Sequence, residues 1–219
     1  MMDHFLNTIA FYFYLFALLT TLVRVFQSKL TRWVPLGFTA IGAALQFAAF
    51  LIRWSHLNWA PVTTMYEILC YVSFGLGLAV FFTYRKFDAP VLAAMSLILP
   101  IAALGTALFT ESPDLKPVVP GLQSRWMPIH VSCWCFSYSA FGVGFVVASC
   151  LIALRRLGRA PKMQEELGDL FHRLVLFGFP FHTLGLITGA LWAANAWASP
   201  WFNAPKEWTS AITWLIYAI

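Results

Sequence analysis

Long apolar runs separated by short polar loops dominate this chain. The runs cover residues 5–26, 34–52, 65–84, 91–109, 129–154, 174–193 and 207 to the end. A helix needs about 20 residues to cross the hydrocarbon core of a bilayer, so the first six runs are predicted as full spans. The run at 129–154 exceeds that need and is expected to tilt or to extend beyond the lipid. The last run supplies only about 13 residues against the same requirement and is read as a seventh span cut short. The chain is therefore expected to be all-α, a polytopic membrane helix bundle forming a single transmembrane domain over residues 1–219.

Basic residues in the loops give that bundle a direction. The first, third and fifth loops hold ten of them: Arg24, Lys29, Arg32, Arg85, Lys86, Arg155, Arg156, Arg159, Lys162 and Arg173. The alternate loops hold four, namely Arg53, Lys116, Arg125 and Lys206. Lysine and arginine are retained on the cytoplasmic side. The N-terminus, His56, the proline-rich segment 110–128 and the loop at 189–208 are accordingly expected outside.

Composition agrees with a lipid environment. The chain is 60% hydrophobic and 11% charged, whereas soluble domains carry about 25% charged residues. The net charge of +5 sits in inter-span loops and implies no nucleic-acid partner. Cys70, Cys133, Cys135 and Cys150 lie inside apolar runs without a CxxC or CxxCH spacing, so they read as buried thiols. No nucleophile–base pair, HExxH or phosphate loop is present, and hydrolytic acid–base chemistry lacks its paired carboxylates.

Candidate chemistry concentrates at the outer end. Residues 189–217 read GALWAANAWASPWFNAPKEWTSAITWLIY, with Trp192, Trp197, Trp201, Trp208 and Trp214 in one stretch. Indoles anchor helix ends in the headgroup layer, and they also offer flat apolar faces to a planar ligand. His130 opens the fifth span behind Pro128; it is either an interfacial histidine bonded to a carbonyl or a ligand to haem iron. His182 lies mid-span, where ionisable residues are costly and usually functional, although a neutral ring there can bond a carbonyl freed by Pro180. His56 faces outward and is placed to meet the tryptophan loop. Glu67 heads the third span, where the helix dipole favours a carboxylate. Gly185 and Gly189 form a small-xxx-small pair suited to close helix contact.

Four segments together resemble the CcsA/ResC family of System II cytochrome c biogenesis. They are Met65-Tyr66-Glu67, Trp126 with His130-Val131, the stretch 173–193 with Gly178-Phe179-Pro180 and Gly189-Ala190-Leu191-Trp192, and Pro205-Lys206-Glu207 with Ile212-Thr213-Trp214. The resemblance implies a subunit of a cytochrome c haem lyase (synthetase) that presents haem b, held transiently as substrate, for attachment to apocytochrome c. It implies His130 as an axial iron ligand and Trp192, Trp197, Trp201, Pro205, Lys206 and Glu207 as the haem-holding loop. His56 and His182 stand beside it as further candidate iron ligands. It also implies a ResB/CcsB-type membrane partner, a thioredoxin-like thiol reductant, and a bacterial cytoplasmic (inner) membrane with the loop on the periplasmic side. The family's loop usually reads WGxYWxWDPKE, whereas here Ala198 replaces the glycine, Pro200 the first aromatic, Asn203 a tryptophan and Ala204 the aspartate. A non-catalytic paralogue, such as a HemX-like regulator or assembly scaffold, is the alternative; a transporter fits less well because no inverted repeat is visible.

Overall fold

The computed structural model describes residues 2–27, 30–200 and 204–218. The described residues form α1 (Met2–Phe26), α2 (Trp33–Leu57), α3 (Met65–Lys86), α4 (Pro90–Thr110), a 3-10 turn (Pro120–Leu122), α5 (Trp126–Arg156), α6 (Pro161–Trp197) and α7 (Pro205–Ala218). Six of these, α1 to α6, are long and apolar enough to cross a membrane. Helix α7 has 14 residues, which at 1.5 Å per residue spans only about 21 Å.

Helix α6 runs well past the apolar stretch that predicted it, whereas α5 extends only a few residues beyond 129–154. Helix α5 has 31 residues and α6 has 37, so α6 is about 55 Å long, nearly twice the hydrocarbon thickness. Pro161 at the first helical position starts α6, and no breaker separates the polar Gln164–Asp169 turns from the apolar part. Hydropathy marks where lipid begins; it does not mark where a helix stops.

Exposed and buried positions are inverted relative to a soluble protein. Phe5, Phe82, Phe109 and Phe145 are exposed, whereas Asp3, Arg53, Glu67, Gln46 and His182 are buried. Such polar groups survive inside only when they bond one another. Arg53, read from sequence as a loop cation, lies within α2 and is 3% exposed. Its Nε donates to Glu67 Oε1 at 2.8 Å and its Nη1 to Asp3 Oδ2 at 2.7 Å. The remaining donors reach the carbonyls of Pro113 (2.8 Å) and Asp114 (3.0 Å). Glu67 also completes a capping box: Thr64 Oγ1 accepts from the Glu67 amide, and Glu67 Oε2 accepts from the Thr64 amide. The helix-dipole account of Glu67 is thus incomplete, because through Arg53 this carboxylate also ties α3 to α2 and α1.

The opposite ends of α1 and α3 are joined separately. Arg24 donates to Tyr84 Oη and pairs with Asp88 at 2.7 Å. Its guanidinium holds the Asp88 carboxyl below the usual carboxylate range. Between these clamps Tyr14 is fully buried and donates to Gln46 Oε1 at 2.7 Å. A side chain at Gly42 would stand 3.0 Å from the Tyr14 ring, and one at Gly77 would strike its hydroxyl. A core of Ala10, Tyr14, Leu76, Leu97, Leu104, Val143, Val147 and Leu170 then joins α1, α3, α4, α5 and α6.

Candidate functional site

The site is built where α5 meets α6. Gly178, His182, Gly185 and Gly189 recur at steps of four, three and four, which places them on one face of α6. That face receives rings from α5. A Cβ at Gly178 would lie 2.7 Å from Phe141 Cε1, one at Gly185 3.1 Å from Trp134 Cε2, and one at Gly189 2.5 Å from His130 Cε1. The Gly185/Gly189 pair therefore does more than bring two backbones together. It makes the two seats in which the indole of Trp134 and the imidazole of His130 rest.

His130 is fixed in orientation by its seat. Its Nδ1 lies 2.9 Å from the Gly185 carbonyl and 3.1 Å from the Trp134 indole nitrogen. A carbonyl can only accept and an indole N–H can only donate, so the two contacts belong to opposite tautomers; in the one that makes the shorter contact, Nδ1 carries the proton and donates to Gly185 O. In the other tautomer Nδ1 accepts from the Trp134 N–H. Nε2 has no hydrogen-bond partner among the described residues, and in the tautomer bonded to Gly185 O it is the unprotonated nitrogen. A ring whose far N–H is held by a carbonyl is the arrangement that orients histidine for metal ligation. Trp192 stacks near the same ring, with centroids 5.9 Å apart and planes 21° from parallel.

A cavity of about 520 Å³ opens beside this pair. Its walls include His130, Trp134, Gly189, Trp192, Trp197, Pro200, Lys206, Glu207 and Ser210. The volume falls within the roughly 300–1,000 Å³ common for ligand sites. The proline-rich segment covers its flank: Trp192 Nε1 donates to Gly121 O at 3.0 Å, and Trp197 packs against Gly121. Arg53 holds the other end of that segment through Pro113 and Asp114. On the far side Glu207 accepts from the Ala204 amide at 3.1 Å, capping α7, while Lys206 is exposed at the rim. Apolar indole faces, one imidazole nitrogen free to bind iron and a rim ammonium suit a flat, apolar, anionic metal chelate such as haem.

Most of the expected residues converge here, with several differences. His130, Trp192, Trp197, Lys206 and Glu207 line the cavity, and Pro205 opens α7 at its edge. Trp201 lies outside the described residues. Trp208 is half-exposed and Trp214 donates instead to Thr183 at 2.8 Å, so neither lines the cavity. His56 is exposed at the end of α2 and is not among the lining residues. Trp134 was not anticipated, although its spacing of four from His130 puts the two on one helical face. Ala198, at the family's glycine position, ends α6 with φ 58° and ψ 16°. That left-handed conformation is the one a helix-terminating glycine adopts at no steric cost.

His182 is fully buried behind the cavity, and both its nitrogens are engaged. Nε2 donates to the Ser210 carbonyl at 3.1 Å, and Ser137 Oγ donates to Nδ1 at 3.3 Å. The carbonyl it finds is on α7 and not beside Pro180 in its own helix. Trp134 meets it edge-on at 4.6 Å between centroids. His182 therefore ties α5, α6 and α7 together and has no nitrogen to spare for iron. His182→Phe is expected to lower stability by about 1–3 kcal/mol, as for a buried bond partner left unsatisfied. It should leave the wavelength of any bound-haem absorption unchanged, whereas a band shift would make His182 a ligand.

Comparison with known proteins covers nearly the whole chain. Residues 4–219 match the family described as cytochrome C assembly protein. The cytochrome c biogenesis protein CcsA of Prochlorococcus marinus (strain AS9601) is 30% identical over 244 aligned positions, covering 97% of this chain and 79% of the relative. CcsA of Synechococcus sp. (strain CC9902) is 28% identical over 213 positions, covering 82% and 70%. CcsA of Chlamydomonas reinhardtii is 30% identical over 197 positions, covering 85% of this chain and 56% of that protein. With six apolar helices in place and a match that runs from residue 4 to residue 219, this chain belongs to the cytochrome c assembly protein family.

Proposed function

We propose that this chain, whose role is in cytochrome c biogenesis, is a haem-handling subunit that holds haem b at the outer face of the bacterial cytoplasmic membrane. The observation that carries this reading is the seat of His130, which leaves Nε2 free beside a cavity walled by indoles. His130 supplies the axial nitrogen, Trp192 and Trp197 supply apolar faces, and Lys206 pairs with a haem propionate. Haem is the substrate here, bound and then passed on. Its destination is an apocytochrome c whose cysteines are kept reduced by a thioredoxin-like protein, and a ResB/CcsB-type membrane protein is the partner. The excess of basic residues in the first, third and fifth loops supports an outward-facing cavity.

The reading is tested with protein purified in detergent from haem-replete cells. A reduced-haem absorption band that survives washing, disappears in His130→Ala and returns when imidazole is added to His130→Gly is the expected result. A colourless preparation, or a band indifferent to both substitutions, would overturn it in favour of a non-catalytic paralogue.

A further inference from the structure

A second cavity, of about 160 Å³, lies between α1, α2, α3 and α5 and shares no lining residue with the histidine cavity. We propose that it binds the single-ring headgroup of a lipid-soluble quinone or its quinol, independently of the haem reading above.

Size, wall, polar end and access each narrow the ligand. A cavity of about 150 Å³ accepts one benzene-sized ring, so a single ring fits and a macrocycle does not. One wall is a run of near-parallel aromatic rings. Phe50 and Tyr71 stack at 5.1 Å and 27°, Tyr71 and Phe74 at 6.3 Å and 10°, and Phe74 and Phe47 at 5.8 Å and 23°. Such faces favour a flat conjugated ring over a flexible acyl chain.

The polar end is Asn7, which is 4% exposed and lines the cavity. Its Nδ2 donates to Tyr66 Oη at 3.3 Å, and its Oδ1 has no partner. A buried amide left half-bonded is costly, and a ring substituent would complete it. Turned by 180° the same amide presents N–H in place of oxygen, so it serves a quinol hydroxyl or a quinone carbonyl. Arg53 and Glu67 also line the cavity but are paired with each other, which leaves no free charge and calls for a neutral ligand. Water is a poor occupant, because it needs two to four polar partners and most of the wall is carbon. Phe47, half-exposed on the lipid-facing side of α2, marks a lateral entrance from the bilayer.

The test uses the full chain in nanodiscs of quinone-free synthetic lipid. The probes are a short-tailed azidoquinone and an alkyl azide of the same tail length, with crosslinks mapped by mass spectrometry. The azidoquinone is expected to label α2 and α3 around Phe47, Phe50, Tyr71 and Phe74, and an unlabelled short-chain quinone should compete. Asn7→Leu should weaken that competition about five- to tenfold, the loss of one hydrogen bond. Phe50→Trp, which fills the space and keeps Asn7, should abolish labelling. Both variants should keep the haem absorption of the unsubstituted protein; if Asn7→Leu does not fold, Phe50→Trp and the wild-type competition decide. Equal labelling by the alkyl azide would show an acyl chain in the cavity and overturn the proposal. So would crosslinks confined to outward-facing positions, or competition unchanged in both variants.

Discussion

Arg53→Met should destabilise the protein by about 3–5 kcal/mol, the cost of leaving buried charges without their partner. Asp3 and Glu67 would then face each other in a low-dielectric interior, and the carbonyls of Pro113 and Asp114 would lose their donors. The contrast is with Arg24 and Asp88, whose carboxylate is 43% exposed; exposed pairs of that kind contribute about 0–1 kcal/mol. Comparing Arg53→Met with Asp88→Asn in detergent-titration unfolding therefore separates the two clamps. Replacing Asp3 and Glu67 together with Arg53 by apolar residues should recover most of the loss, since apolar replacement of a whole buried ion cluster is often neutral or stabilising. It should not recover the roughly 1 kcal/mol that Glu67 contributes through the α3 capping box. Equal, small effects at Arg53 and Asp88 would show the cluster to be hydrated in the folded protein.

Gly189→Val should empty the proposed haem site without altering His130 itself. The new Cβ would sit 2.5 Å from His130 Cε1 and 2.7 Å from Nδ1, so the ring must leave its seat. Its bond to Gly185 O goes with it. A displaced rotamer costs about 0.5–1.5 kcal/mol and the lost hydrogen bond about 1 kcal/mol, together roughly 10- to 70-fold in affinity. The measurement is haem bound per protein after washing. Gly168→Ala is the control, because nothing lies within 4 Å of a side chain there. It should be neutral or stabilising by up to about 1 kcal/mol, as alanine is the better helix former. If Gly189→Val retains haem at the wild-type level, the geometry of the His130 seat is not what orients the ligand.

The sequence disclosed the bundle more fully than the site. Six spans are legible because lipid demands about 20 apolar residues in a row, a requirement that residue order displays directly. The start of α6 is not legible, since a helix continues through polar turns once it leaves the lipid. His130, Trp192 and Trp197 could be singled out by residue type and by family resemblance. What orients His130 could not, because the Gly185 carbonyl and the Gly189 gap lie on another helix, more than fifty positions away. Arg53 was misplaced for a related reason. A charge near the end of an apolar run looks like a loop residue until Asp3 and Glu67 arrive from two other helices. His182 shows the limit of depth as a guide: an ionisable group inside a membrane must have a use, but here that use is holding α7.

The clamps at Arg53 and Arg24 bind α1 to its neighbours in the first four helices at both ends, whereas the cavity belongs to α5, α6 and α7. These two parts meet along a seam of small residues, with Gly75 against Ser139 and Gly142 against Leu76. The arginine clamps and the cavity rim thus lie on different stretches of chain. Replacements at the cavity rim, such as Ala198 for a glycine or Pro200 for an aromatic, leave the clamped helices untouched. Substitutions confined to the rim should therefore alter what the cavity holds, and how tightly, at less cost in folding than substitutions at the arginines.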